Sequence, residues 1–215
     1  MRIETALEET LKFFFPNECA VCGRETSPFR LVCEECGRAL LLRGPMVRKI
    51  EKKGYTLHAY GEYSDELRSV ILSYKGGRWR ISSILSDLYM KIFEYFPPKG
   101  ALTFIPSTLE SIEERGFDHM EIITKRVAKR TGIPFERCLE VASEWRQIGR
   151  SGRERRKMRG RFISKCDEER VALLDDVYTT GSTVEDAVEA LRSSGVKVID
   201  VYVLALSKGR GGRWE

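Results

Sequence analysis

Val171-Ala-Leu-Leu-Asp-Asp-Val-Tyr-Thr-Thr-Gly-Ser-Thr183 (VALLDDVYTTGST) is the stretch from which the rest of the chain is read. Val171 to Leu174 form a short unbroken apolar run, which predicts a strand buried on both faces of a parallel sheet. Asp175 and Asp176 then fall at its carboxyl end, where open α/β sheets bind their ligands. Val177 and Tyr178 lead into Thr179, Thr180, Gly181, Ser182 and Thr183, whose small and hydroxylated side chains let backbone N–H groups close around an anion. That anion would sit at the positive end of a helix beginning near Thr183. A plain βα turn in which Ser182 or Thr183 only caps the helix is the simpler alternative. It explains the hydroxyls but not two carboxylates beside them.

The flanking sequence repeats the alternation of strand and helix. Downstream, a helix from Thr183 to Ser193 and the run Val196–Leu206 (VKVIDVYVLAL) predict a further βα step and strand. Upstream, Ala101–Ile105 reads as a buried strand ending at Pro106-Ser107, followed by a helix from Asp118 to Arg130 that Gly132 and Pro134 stop. Asp65–Tyr74 and Ser83–Tyr95 are amphipathic helices, and Tyr55–Tyr63 (YTLHAYGEY) alternates as an edge strand or hairpin. This order predicts an α/β fold with a parallel twisted sheet. Lys75-Gly76-Gly77-Arg78 follows the first of those helices, where glycines and cations suit a helix end. His58 and His119 are the only histidines, and neither has a second histidine nearby to form a metal site.

Before this domain lie Cys19-Ala-Val-Cys22 and Cys33-Glu-Glu-Cys36, each pair followed by glycine. Two such knuckles present four thiolates to one ion, so the spacing predicts a structural zinc site made by Cys19, Cys22, Cys33 and Cys36. Two disulfides or a redox pair are the alternatives. A helix over Glu4–Phe15 precedes the knuckles, and Ala39–Lys53 reads as a helix leaving them, interrupted at Gly44-Pro45. The expected division is residues 1–53 for the zinc module and 54–215 for the α/β domain. Cys138 and Cys166 stand apart and read as small core or surface residues.

With 42% hydrophobic and 32% charged residues, the composition is that of a globular protein without a membrane span. The first residues lack the basic start and apolar core of a signal peptide, which predicts a cytoplasmic location. Charge is uneven. Arg146, Arg150, Arg153, Arg155, Arg156, Lys157, Arg159 and Arg161 face the single acid Glu154, so this segment exceeds the whole chain's net charge of +5 and leaves the remainder acidic. Three readings of the run stand open: a clamp on an anionic leaving group, a nucleic-acid contact, or a solvated loop.

The nine residues DDVYTTGST resemble the signature of the type I phosphoribosyltransferases, with no substitution at key positions. The resemblance implies phosphoribosyl pyrophosphate as ligand, Asp175 and Asp176 on the ribose hydroxyls in the catalytic centre, and Val177 to Thr183 around the 5′-phosphate. It also implies pyrophosphate near Pro106, Ser107 and Arg115. The whole chain is similar to the ComF family of competence-associated phosphoribosyltransferase-like proteins. Four landmarks carry this likeness in order: the paired CxxC ribbon, YKGGRW at Tyr74–Trp79, RGFDH at Arg115–His119, and DDVYTTGST. The family's usual RGFNQ is RGFDH here. The likeness implies magnesium with the diphosphate, single-stranded DNA and competence-machinery proteins as partners, and a role in DNA uptake. Lys75, Arg150, Arg153, Arg155, Arg156 and Arg159 become candidate contacts to nucleic acid or pyrophosphate. An active nucleobase phosphoribosyltransferase of salvage is the alternative function.

Overall fold

A computed structural model describes residues 17–42, 47–142 and 160–207. The helix expected over Glu4–Phe15 and the cationic run from Arg146 to Arg159 lie outside these residues, and with them Arg150, Arg153, Arg155, Arg156 and Arg159. No described helix is long and apolar enough to cross a membrane.

The chain begins with a small antiparallel ribbon, β1 (Asn17–Glu18) against β2 (Glu25–Thr26), followed by α1 (Glu34–Leu42). Next come β3 (Arg48–Lys52), β4 (Tyr55–Glu62), α2 (Asp65–Lys75), a 3-10 turn (Trp79–Ile81) and α3 (Ser82–Tyr95). The remaining elements are β5 (Ala101–Phe104), α4 (Leu109–Arg115), α5 (His119–Thr131), β6 (Leu139–Val141), β7 (Phe162–Ser164), β8 (Arg170–Tyr178), α6 (Ser182–Ser193) and β9 (Val198–Leu206). The main sheet has the order β3-β4-β9-β8-β5, parallel throughout except for the antiparallel edge β3. The α/β fold with a mostly parallel sheet is therefore as the alternation of elements predicts.

The apolar run that opens β8 shows why it sits inside the sheet. Ala172 and Leu174 join one core cluster, while Val171 and Leu173 join the other on the opposite face. Successive strand residues point to opposite faces, so only a strand covered on both sides buries all four. Its neighbours β9 and β5 are held in register by pairs such as Leu173 with Val201 and Thr103 with Leu173. The strand runs two residues beyond the aspartates, to Tyr178, whose hydroxyl meets that of Tyr55 at 3.0 Å.

Three local readings are corrected. The helix expected to run to Lys53 ends at Leu42, and Arg48–Lys52 instead hairpins onto β4. Gly54, at φ 97°, supplies the left-handed residue that this tight return needs. The sheet thus begins before residue 54, and β4 is interior while β3 takes the edge. Finally, Cys138 and Cys166 are buried together as a disulfide, with Cα atoms 4.4 Å apart. The unforeseen pairing of β6 with β7 brings the two chain segments together. A cross-link over a separation of 28 residues constrains the unfolded chain by roughly 3–4 kcal/mol in the loop-entropy treatment.

Candidate sugar-phosphate site

The carboxyl ends of β5 and β8 gather the side chains that the sequence marks. Beyond β5, Ser107 hydrogen-bonds Asp118 twice, its N–H to Oδ2 at 2.9 Å and its hydroxyl to Oδ1 at 3.2 Å. Asp118 also caps α5 by accepting from the Met120 N–H, which fixes the loop against the helix start. Pro106 is buried at the strand end. Arg115, the last residue of α4, turns back to donate from Nε to the Ser111 carbonyl, and its Nη1 lies 3.4 Å from His119 Nδ1.

Asp176 is 6% exposed and anchors the cluster. Lys75 Nζ lies 2.5 Å and His119 Nε2 2.8 Å from the same carboxylate oxygen, Oδ2. No described residue engages Oδ1. Burial acts to raise this carboxyl, but the His119 hydrogen bond and the Lys75 charge outweigh it, holding the group well below the ordinary carboxylate range. Asp175 behaves oppositely. Desolvation first, and the neighbouring Asp176 charge second, push it up to about 8, although its own Oδ1 accepts the Asp176 N–H at 2.9 Å. Tyr89 donates to the Asp175 carbonyl at 2.7 Å, tying this strand end to α3. Two adjacent carboxylates thus hold different protonation states, one ionised and one inclined to keep its proton.

The loop after β8 has the form of an anion cradle. Gly181 stands at the N-terminus of α6 with φ 83°, where a Cβ would overlap the Tyr178 hydroxyl. Only glycine fits there. Thr179 and Thr180 are exposed, and the Thr180 and Ser182 hydroxyls lie 3.1 Å apart beside the first turn of a twelve-residue helix. Arg161, at the end of the basic run, donates from Nη1 to Thr183 Oγ1 at 3.0 Å, bringing a guanidinium to the cradle. Val177 and Tyr178 belong to the strand; Tyr178 is a buried support beneath the loop.

Sequence reasoning placed Lys75 at a helix end with an open role, and the structure brings it onto Asp176. It missed His119, Asp118 and Arg161 as parts of the cluster. The signals were present: RGFDH carries the first two, and Arg161 closes the basic run.

The second constellation is the cysteine quartet. The ligand atoms of Cys19, Cys22, Cys33 and Cys36 all lie within 4.8 Å of one another, the one group among the described residues with the ligand types and spacing to hold a metal ion. Cys22 and Cys33 sulfurs are 3.8 Å apart. A tetrahedron with metal–sulfur bonds of about 2.3 Å has edges of about 3.8 Å, so the spacing fits one tetrahedral ion. The Val21 and Cys33 N–H groups point at the Cys19 sulfur, and Arg24 Nε at that of Cys22, so the thiolates have a supporting shell. The module leans on the main core: Ala20, Val21 and Val32 pack against it, and Tyr60 donates to the Leu40 carbonyl.

With two such constellations in one chain, the comparison with known proteins is specific. The chain is 24% identical over 190 residues to the competence protein ComFC of Bacillus subtilis, covering 82% of this chain and 72% of that protein. It is 27% identical over 199 residues to competence protein F of Haemophilus influenzae, covering 86% and 83%. The chain is a homologue of the ComF competence proteins over most of its length. A hypoxanthine/guanine phosphoribosyltransferase of Methanothermobacter marburgensis is 31% identical over 137 residues, 60% of this chain and 64% of that enzyme. No family profile matches the chain. Among solved structures, Leishmania donovani UMP synthase aligns with a TM-score of 0.41 at 19% identity, over 81% of this chain and 31% of that one. Adenine phosphoribosyltransferase from Thermoanaerobacter pseudethanolicus aligns with a TM-score of 0.36 at 15% identity, over 75% and 95%.

Proposed function

We propose that this ComF homologue binds phosphoribosyl pyrophosphate at the ends of β5 and β8 and acts in the uptake or processing of single-stranded DNA in natural competence. The observation that carries the ligand is the pairing of the Gly181 cradle at the start of α6 with Asp175 and Asp176 at the end of β8. Backbone N–H groups and the helix dipole at the cradle hold the 5′-phosphate, with Arg161 at its margin. Asp176 and Asp175, side by side at the end of β8, are the acceptors for the ribose hydroxyls. Ser107 and Arg115 stand on the side where the pyrophosphate group lies, and magnesium bound to that group supplies charge neutralisation there. The cysteine quartet holds zinc as a closed structural site in a cytoplasmic protein. The two relatives named as competence proteins support a role in competence. The hypoxanthine/guanine relative supports the alternative, a turning-over nucleobase phosphoribosyltransferase, because the same cradle and acid pair would serve transfer.

Filter binding with two labelled ligands tests the proposal. Phosphoribosyl pyrophosphate with magnesium is expected to be retained, and a single-stranded oligonucleotide is expected to bind with an affinity that falls steeply with salt. Reversing Arg153, Arg155 and Arg156 to glutamate should remove the oligonucleotide and spare the sugar phosphate. Oligonucleotide affinity absent at low salt, or indifferent to the reversal, removes the DNA role; retention of neither ligand removes both.

A further inference from the structure

Of the YKGGRW segment, the sugar-phosphate site uses only Lys75, while Trp79 stands outside it with an indole 62% exposed. Single apolar residues on a surface need no explanation, so the surroundings of this one decide its meaning. Gly77, at φ 97°, turns the chain out of α2, and the Trp79 N–H donates to the Gly77 carbonyl at 2.8 Å. Ile81 is fully buried in the main core, and the Ser83 hydroxyl donates to the Arg80 carbonyl at 2.9 Å. The 3-10 turn is therefore fixed at both ends and holds a large aromatic ring outside the core at a set position.

That position is the wall of a cleft. A space of about 410 Å³ lies between the turn and the cysteine ribbon, with Gly77, Trp79 and Ile81 on one side and Asn17, Ala20 and Leu31 on the other. Its size is that of a small-ligand pocket and admits a planar heterocycle against the indole. Charge selects the kind of occupant. Glu18 is the one acid lining the cleft, and Arg78 already engages it, at 3.9 Å from its carboxylate and 3.4 Å from its carbonyl. Arg80 also lines the cleft, is exposed, and has no ion-pair partner among the described residues. An exposed aromatic ring beside a surplus cation is how proteins hold single-stranded nucleic acid, the base stacking on the ring and the cation meeting the backbone phosphate. A free nucleobase would use the ring and leave the guanidinium idle.

We infer that Trp79 is a stacking platform for one base of a single strand of DNA and that Arg80 meets an adjacent phosphate. The occupant rests on the single-stranded DNA role proposed for this chain, but the contact is separate from the cationic run and lies between the ribbon and the turn. It gives the ribbon a part in binding beyond its metal, as the far wall of the cleft. Trp79 follows Lys75, the partner of Asp176, by four residues, so strand and sugar phosphate are met from one segment.

Two strands of equal length, an oligothymidylate and its abasic counterpart, carry the same phosphates and separate stacking from charge. Titrated at low salt into the zinc-loaded full chain, Trp79→Ala is expected to bind the oligothymidylate about tenfold more weakly than wild type does, and the abasic strand equally well. Trp79→Phe, which keeps a ring, is expected to recover most of the loss. The melting temperature of Trp79→Ala should match wild type, since the indole lies outside the core. Arg80→Ala is expected to weaken both strands alike and to flatten the slope of log affinity against log salt by about 0.7, the share of one phosphate contact on a single strand. Salt-sensitive binding that is indifferent to Trp79→Ala, or weakened equally for both strands, overturns the platform and leaves the DNA role standing. An unchanged salt slope in Arg80→Ala overturns the phosphate contact. Free thymine that displaces the strand at comparable concentration assigns the cleft to a free base and overturns the strand as occupant. Retention of neither strand by wild type overturns the occupant together with the DNA role.

Discussion

Asp176→Asn is expected to destabilise the protein by about 3–5 kcal/mol, the cost of leaving buried partners unpaired, and Asp175→Asn to stabilise it. The two residues are adjacent and nearly isosteric with asparagine, so the opposite signs come from their surroundings. Asp176 is the shared partner of Lys75 and His119, and its removal leaves the lysine charge and the buried imidazole without their common acceptor. Asp175 is raised by desolvation and by its neighbour's charge, so ionising it opposes folding. Asparagine at 175 keeps the oxygen that accepts the Asp176 N–H. After discounting for its partial solvent contact, the gain is on the order of 1–2 kcal/mol. For a chain of this size these changes move the melting temperature down by roughly 10 °C and up by a few degrees.

Linkage gives the pH window. Asp176 is depressed below its ordinary value of 3.8, so its contribution is present above that value and is lost as pH falls through the lower folded one. Asp175 is raised from 3.8 to about 8, so the unfolded chain ionises first and stability is lost across that interval. The Asp175→Asn gain should therefore be absent near pH 4, grow toward pH 8 and level off. Melting curves of both variants from pH 4 to 9 check this; a loss of stability in both at neutral pH contradicts the account of the pair.

Chelating the zinc proposed for the cysteine quartet is expected to have the largest effect. Structural zinc supplies on the order of 10–16 kcal/mol to small modules that cannot fold without it, and residues 17–42 offer only two-residue strands and one nine-residue helix besides the quartet. Because Ala20, Val21, Val32 and Leu40 pack into the main core, loss of the module also uncovers part of that core. Metal analysis should give one zinc per chain. A strong chelator should abolish amide protection at residues 17–42 and lower the melting temperature of the sheet, with Leu173 and Val201 remaining protected below it. Absence of zinc, or ribbon protection unchanged after chelation, contradicts the assignment.

What could be read in the sequence follows the range of the interactions involved. β8, its loop and α6 are contiguous, so pattern and turn chemistry show strand, cradle and helix directly. The quartet is legible because ligand spacing is itself a local constraint. The cluster around Asp176 is different: Lys75, Ser107 and His119 come from three separate elements and meet only because β5 lies beside β8 and α2 ends above them. Nothing local marks a lysine after a helix as the partner of an aspartate a hundred residues later. The Cys138–Cys166 pair was hidden similarly, because β6 and β7 are three residues each and carry little periodicity. At β3, five residues with alternating partial burial were too few to outweigh a helical reading of the segment before Gly54.

Isothermal titration of phosphoribosyl pyrophosphate with magnesium into the zinc-loaded protein tests the central claim most directly. One equivalent should bind wild type, and binding should be lost in the Asp175→Ala/Asp176→Ala double variant whose folded state is verified by its amide spectrum. No heat of binding with wild type, or equal binding by the folded double variant, would contradict the assignment of this site to a phosphorylated ribose.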